Sequence, residues 1–313
     1  MVQVSECFAD GSRFVVTGVS GWVGRALVAR LADRLGAGWR DRVALFGSHP
    51  RALDLGGLGG AEVRALSSLE GEDTADAYVF HLAFLGKERL DDLSISDFVA
   101  QNCRIDDQVL NAFRQGRPRR SFIASSGAAA DALHSAKRNG YGLCKLLQED
   151  RFLAWATGSG DVLVGRIFNI SGPHINKLNS YALSSCIVQC LDSKSITLKS
   201  RNLTYRSYIH IFDVLDMVLS ALGQRSALPA SPVDLCGNEI VELGDLAARV
   251  AAHLGVPAEN IIRPAVTLED RNIYVGDYVD THALAYRSQL KIRDLSAQIQ
   301  DTIDYVRAVA RPA

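Results

Sequence analysis

Three groups of residues in this chain have the types and spacing to do chemistry. The run Thr17-Gly18-Val19-Ser20-Gly21-Trp22-Val23-Gly24 places three glycines three residues apart. Glycines at that spacing permit a tight turn, close approach of backbone to a pyrophosphate, and close helix–sheet packing. If the turn opens a helix, free amides and positive potential also face the phosphates. Tyr141 and Lys145 stand four residues apart, which puts both on one face of a helix. An ammonium beside a phenol stabilises the phenolate and lowers its pKa from about 10. Such a pair can pass a proton to or from a carbonyl or alcohol oxygen. Ser126 follows an apolar run starting at Ser121, where its hydroxyl could hold the same oxygen. Taken singly, each group has a plainer reading: a strand-to-helix turn, an exposed helix face, and a cap or turn serine.

Their placement is what separates the two readings. Short apolar runs at Arg13–Thr17, Arg42–Phe46, Ala61–Ala65, Ala77–Leu82, Ser121–Ser125 and Val162–Phe168 read as strands. Helical patterns at 21–35, 97–114 and 141–155 alternate with them. Buried Val/Ile-rich strands alternating with long helices predict an α/β fold, a doubly wound parallel sheet. Ligands of such sheets sit at the carboxyl ends of the strands. The glycine run follows the first strand and Ser126 lies just past the fifth. Beyond residue 171 the pattern changes. Helices are expected at 181–191, 207–222 and 242–253, with a short strand at 233–235. The expected organisation is a nucleotide-binding domain over 1–171 with a returning segment at about 207–240. Residues 172–206 and 241–313 are expected to form a smaller, interleaved substrate lobe.

Composition agrees with an ordinary globular protein. The chain has 313 residues, 48% apolar and 22% charged, which excludes intrinsic disorder. Thirty-four Lys and Arg against 35 Asp and Glu leave a net charge of −1. No global basic field exists to hold nucleic acid or an anionic membrane, so an anionic ligand must be held by local groups. The six cysteines, Cys7, Cys103, Cys144, Cys186, Cys190 and Cys236, form no framework. Scattered thiols suit a reducing compartment. Cys186 and Cys190 read as buried thiols on one helix face, and no metal site is expected. The N-terminus lacks the features of a signal peptide, and no run reaches the roughly 18 apolar residues of a membrane span. The expected location is the cytoplasm.

Together these motifs resemble the extended short-chain dehydrogenase/reductases, a group of NAD(P)-dependent nucleotide-sugar epimerases, dehydratases and ketoreductases with a Rossmann-type fold. The resemblance runs from Arg13 to Asp277. It rests on the TGxxGxxG turn at Thr17–Gly24, the segment Val79-Phe80-His81-Leu82-Ala83, the stretch Ser125-Ser126-Gly127-Ala128 and the YxxxK pair Tyr141/Lys145. Two later segments, Arg166–Pro173 and Arg206–Asp213, are similar to the family's "RxFNvyGP" and "RdyihV.D" stretches. The resemblance implies catalytic roles for Ser126, Tyr141 and Lys145, with Asn102 ordering a helix and a proton-relay water. It implies cofactor contacts from Gly18, Ser20, Gly21, Trp22, Val23, Gly24, Leu82, Ala83, Tyr141 and Lys145. Asn169 and Arg206 take the positions that contact the nucleotide diphosphate, and Arg271 resembles a second diphosphate arginine. His174, with Lys177 and Tyr181, follows the Gly172-Pro173 turn and is a candidate for the sugar pocket. The family also implies a homodimer through the helices at 97–114 and 141–155.

Departures from the family pattern sharpen the expectation. An NAD site of this kind places Asp or Glu about 20 residues after the glycine turn. Here the second strand runs into Gly47-Ser48-His49-Pro50-Arg51. Ser48 and Arg51 suit a 2′-phosphate, so NADP(H) is favoured over NAD(H). A consumed reduced cofactor points to reduction of a keto group on a nucleoside-diphosphate sugar. A nucleotide-sugar 4-epimerase is the alternative, and a non-catalytic NADP-sensing regulator is disfavoured because both Tyr141 and Lys145 are present. Gly127 and Ala128 supply no acid or base beside Ser126, which disfavours dehydration. They also supply no cysteine for a second epimerisation. Cys103 and Cys144 remain thiols near the site.

Overall fold

The computed structural model describes residue 8 and residues 11–134, 140–159 and 161–310. Cys7 and the N-terminal segment judged above lie outside the described residues. Fourteen strands occur among them: β1 (Phe14–Thr17), β2 (Val43–Gly47), β3 (Arg51–Asp54), β4 (Gly60–Ala65), β5 (Tyr78–His81), β6 (Arg120–Ser126), β7 (Asp161–Ile167), β8 (Asn169–Ser171), β9 (Ile196–Thr197), β10 (Asn202–His210), β11 (Val233–Leu235), β12 (Ile240–Glu242), β13 (Ile261–Ile262) and β14 (Thr267–Tyr274). The helices are α1 (Trp22–Leu35), α2 (Trp39–Arg42), α3 (Ile95–Gly116), α4 (Gly127–His134), α5 (Gly140–Ser159), α6 (Ala182–Ser193), α7 (Ile211–Gly223), α8 (Leu243–His253), α9 (Tyr278–Arg287) and α10 (Leu295–Ala310).

Eight strands form the main sheet in the order β11-β7-β6-β5-β1-β2-β4-β3. All neighbours run parallel except the hairpin β3–β4. Every residue of β1 and β5 is buried, as expected of parallel strands covered on both faces. The chain leaves β1 for β2 on one side and returns to β5 on the other. That reversal opens a crevice at the carboxyl ends of β1 and β5. One face of the sheet is packed by α1 and α7 around Phe14, Leu27 and Leu215. The other is packed by α3 and α5 around Val79, Phe113 and Phe152. Burying each such side chain contributes about 1.5–3 kcal/mol. A third cluster joins α6, α8 and α10, and it contains Cys186 and Cys190 as expected of buried helix-face thiols.

Two sequence expectations need correcting. The helix expected over 207–222 begins only at Ile211, because Tyr208–His210 finish β10 by pairing with β8. His210 then caps α7, its Nδ1 accepting from the Phe212 amide at 3.1 Å. The stretch 51–65 holds two antiparallel strands rather than one. Asp54 Oδ1 takes the Gly56 amide at 2.9 Å and closes the turn between them. In the stretch assigned by sequence to the substrate lobe, α9 packs on β11 and α7, while α10 packs on α6 and α8.

Candidate active site

The glycine turn sits in the crevice. Gly18 has φ +72°, and a Cβ there would lie 2.6 Å from the Ala83 amide nitrogen and 2.7 Å from the Leu82 carbonyl oxygen. Only glycine lets these two backbones approach so closely. Gly21 N–H donates to the Gly18 carbonyl at 3.1 Å. A Cβ on Gly24 would meet that same oxygen at 2.5 Å, so Gly24 allows α1 to pack against the turn. The turn therefore fits a dinucleotide: a cradle of backbone with no side chain in it, ending at a helix N-terminus. Ser20 is half-buried and Val23 packs against the core. Trp22 donates from Nε1 to the Pro173 carbonyl at 2.6 Å and meets Tyr181 edge-on at 4.9 Å between ring centres. It thus ties the turn to the segment after β8.

Past β2, Ser48 Oγ bonds His49 Nδ1 at 2.9 Å on the surface. Arg51 opens β3, and its Nε is buried with no hydrogen-bond partner among the described residues. No carboxylate stands between Gly47 and Arg51.

Ser126 ends β6 and Tyr141 lies on the first turn of α5. The Ser126 hydroxyl accepts from the Ala128 amide at 3.2 Å, lies 3.2 Å from the Tyr274 hydroxyl, and is hydrogen-bonded to Tyr141. Burial pushes the Tyr141 phenol up to about 12, and the Ser126 hydrogen bond only partly offsets this. The expectation that Lys145 would lower this phenol fails here for a geometric reason. Lys145 Nζ donates to the Ala124 carbonyl at 2.8 Å and to Gln148 Oε1 at 2.9 Å, and it lies 3.6 Å over the Phe84 ring. Burial brings the Lys145 ammonium down to about 7, against the opposing pull of Asp106 and Glu149. Phe84 also meets Tyr141 edge-on at 5.7 Å, so one ring positions both side chains.

Asn102 is buried on α3. Its Oδ1 takes the Leu85 amide at 2.8 Å, and its Nδ2 donates to the Phe98 carbonyl at 3.1 Å. It holds the loop after β5 against α3. Cys144 is buried, and burial pushes its thiol up to about 11, away from proton transfer near neutral pH.

The expected diphosphate residues are only partly brought together. Asn169 Nδ2 donates to the carbonyls of Ser207 (3.2 Å) and Tyr274 (3.3 Å). Arg206 donates to the Tyr205 and Asn272 carbonyls and stands 5.8 Å over the Tyr274 ring. Arg271 does not join it. Arg206 pairs with Tyr274 on β14, whereas Arg271 pairs with Leu203. Side chains alternate along a strand, so Arg271 points to the opposite face from Arg206 and Tyr274. His174 has φ +69° and its ring lies 5.9 Å from both Phe212 and Tyr305, with burial lowering its pKa. It is packed between these two aromatic rings. Lys177 pairs with Glu88 at 2.8 Å.

Tyr274 is the residue the sequence reading missed. Its ring leans on Phe168 at 5.0 Å, and Phe168 fills the space beside Gly127. A Cβ on Gly127 would lie 2.4 Å from the Phe168 ring, so no acid or base fits at that position. A cavity of about 550 Å³ lies at the other end of the main sheet, against Arg13, Arg40, Arg42 and Arg64. It opens away from the carboxyl ends, and its arginines are engaged by Asp73, Glu72 and backbone carbonyls.

This fold and this crevice define a Rossmann-type dinucleotide-binding protein. The profile of the NAD dependent epimerase/dehydratase family matches residues 14–236, and the chain belongs to that family. It is 29% identical over 137 residues to dTDP-L-rhamnose 4-epimerase of Burkholderia thailandensis, a stretch covering 42% of this chain and 37% of that relative. Three solved structures share the fold. The NDP-hexosamine 5,6-dehydratase TunA is 15% identical with a TM-score of 0.73, covering 95% of this chain and 98% of its own. MoeE5 in complex with UDP-glucose and NAD is 20% identical with a TM-score of 0.72, covering 96% and 100%. The UDP-glucose 4-epimerase of Thermotoga maritima with UDP-glucose is 14% identical with a TM-score of 0.72, covering 96% and 100%. Among the described residues no helix is long and apolar enough to cross a membrane.

Proposed function

We propose that this enzyme reduces a keto group on a nucleoside-diphosphate sugar using NADP(H). The observation that carries the cofactor choice is the end of β2: no carboxylate, and a buried Arg51 Nε with no hydrogen-bond partner among the described residues. A guanidinium there complements a 2′-phosphate. When bound, the nicotinamide supplies the hydride. Tyr141 gives its phenolic proton to the oxygen that gains negative charge at the reacting carbon. Its phenol, held near 12, is fully protonated at neutral pH and so carries that proton. Ser126, fixed by the Ala128 amide, donates a hydrogen bond to the same oxygen. Lys145 stands over the Phe84 ring that also meets Tyr141. Asn169 and Arg206 hold the diphosphate, and Tyr274 stands between them and Ser126. The Phe168 ring against Gly127 argues against dehydration at this site. Exposed Leu143 and Leu147 on α5 support a homodimer through that helix.

Epimerisation at C4 is the second reading, favoured by the rhamnose 4-epimerase relative. Calorimetric titration of cofactor-stripped enzyme with NADPH and NADH separates the two. A preference for NADPH of about tenfold or more, about 1.4 kcal/mol, supports reduction. NAD that cannot be stripped away, with redox-neutral conversion of a nucleotide hexose, overturns it in favour of epimerisation.

A further inference from the structure

We infer that Asp106, acting through Gln148, is the positioning residue that fixes the Lys145 ammonium beside the Ala124 carbonyl and balances its charge. Four elements, β1, β5, α3 and α5, converge on this buried chain of polar groups. Lys145 Nζ donates to Gln148 Oε1 at 2.9 Å, and Gln148 Nε2 donates to Asp106 Oδ1 at 2.8 Å. Both ends of the Gln148 amide are thereby fixed. His81 Nε2 lies 3.1 Å from the same Asp106 oxygen, and His81 Nδ1 lies 2.9 Å from Thr17 Oγ1. Thr17 Oγ1 accepts the amides of Leu82 and Ala83, so its single proton goes to His81 Nδ1. The ring proton then sits on Nε2 and points at Asp106. Thr17, His81, Asp106, Gln148 and Lys145 are all at most 4% exposed.

A buried ammonium with no counter-charge sheds its proton. The other ionisable groups around Lys145 are accounted for. Glu149 is committed to Arg166 through both oxygens and also accepts from Ser125 Oγ. Arg151 is engaged by Asp107 and by the Cys103 carbonyl, at 3.8 Å from Asp106 Oδ2. The Cys144 thiol is held neutral by burial, and the Tyr141 phenol by burial as well. Asp106 is the leading charge that supports the Lys145 ammonium against desolvation.

The role of Lys145 rests on the reading under Proposed function, but the test does not. The protein is labelled at lysine Cε with carbon-13, and the Lys145 resonance is identified by its loss in Lys145→Met. Asp106→Asn keeps the shape and removes the charge. The Lys145 titration midpoint should fall by about one pH unit or more, a tenfold loss of ammonium above the midpoint. Should Asp106→Asn fail to fold, Gln148→Met breaks the bridge and should lower the midpoint as well. An unchanged midpoint in the folded variant overturns the inference. In turnover, a lower Lys145 pKa means activity is lost at lower pH as pH rises, so the alkaline limb moves toward acid. A shifted midpoint without turnover of any sugar nucleotide refutes the functional reading and leaves this inference standing. Turnover with an unmoved Lys145 midpoint refutes the inference alone.

Discussion

Replacing Tyr141 by Phe removes one hydroxyl and leaves the ring on Phe84. With its phenol near 12, Tyr141 is ionised in only about one molecule in 10⁵ at pH 7. It is thus a loaded proton donor, and its loss removes general-acid assistance of roughly 10²–10⁴-fold. That is about 3–5 kcal/mol of barrier at about 1.4 kcal/mol per decade. The cost to folding is much smaller. Ser126 keeps the Ala128 amide and Tyr274, so one hydrogen bond of about 1 kcal/mol is lost. Single-turnover oxidation of NADPH with a keto-hexose nucleotide measures the chemical step, and calorimetry with NADPH measures cofactor affinity. We expect turnover to fall by two orders of magnitude or more, with cofactor affinity changed by less than about threefold. Turnover within tenfold of the parent would refute the assignment of the proton to Tyr141. Tyr274→Phe is the matched control, because its hydroxyl meets the same Ser126 oxygen. A large loss there and none in Tyr141→Phe would exchange the two roles.

Gly18→Ala forces a Cβ to within 2.6 Å of the Ala83 amide at φ +72° and should abolish NADPH binding, which calorimetry and thermal melting check together. Gly127→Ser pushes the Phe168 ring, and Tyr274 with it, and should destabilise the fold by about 1–3 kcal/mol in denaturant titration while lowering turnover. Arg51→Glu should weaken NADPH about tenfold and leave NADH nearly unchanged, read by competitive calorimetry. Burial pushes the Glu242 carboxyl up, but Arg263 and the amides of Thr204 and Gly244 outweigh it and hold the group down to about 2. A depressed carboxyl stabilises the fold above its unfolded pKa of about 4.5 and loses that contribution as pH falls toward about 2. Screening at this partly exposed pair limits the contribution to about 2 kcal/mol, so Glu242→Gln should flatten acid unfolding over that window in circular dichroism.

The parts of the fold that could be read in the sequence are those buried on both faces. β1, β5, β6 and β7 are apolar runs because parallel strands under helices have no wet side, and that pattern survives in one dimension. Tyr141 with Lys145 and the glycine turn were visible for a similar reason: each is a local spacing on one element. What stayed hidden depends on distance. Thr17, His81, Asp106 and Gln148 come from four elements, and each alone reads as an ordinary polar residue. The Phe168 ring against Gly127 joins positions 41 residues apart, so the glycine looked like a mere lack of a side chain. The Lys145 direction was hidden too, since i,i+4 spacing gives a shared face but not which acceptor the ammonium reaches.

Arg271 shows how one irregularity redirects a site. Asn202 pairs with Thr267, but the next residue, Leu203, pairs with Arg271. Three residues of β14 are therefore passed over between consecutive partners. Side chains alternate with period two, so an odd number of extra residues exchanges the faces of everything beyond it. Without the irregularity, Leu268 would oppose Leu203 and the strand would continue with Arg271 beside Arg206. With it, Tyr274 takes the place beside Arg206 and reaches Ser126, while Arg271 turns to the other face. The result is a site with a guanidinium and a phenol where two guanidiniums were expected. Of the two arginines, Arg206 is the one left on that face, and the Tyr274 hydroxyl reaches Ser126.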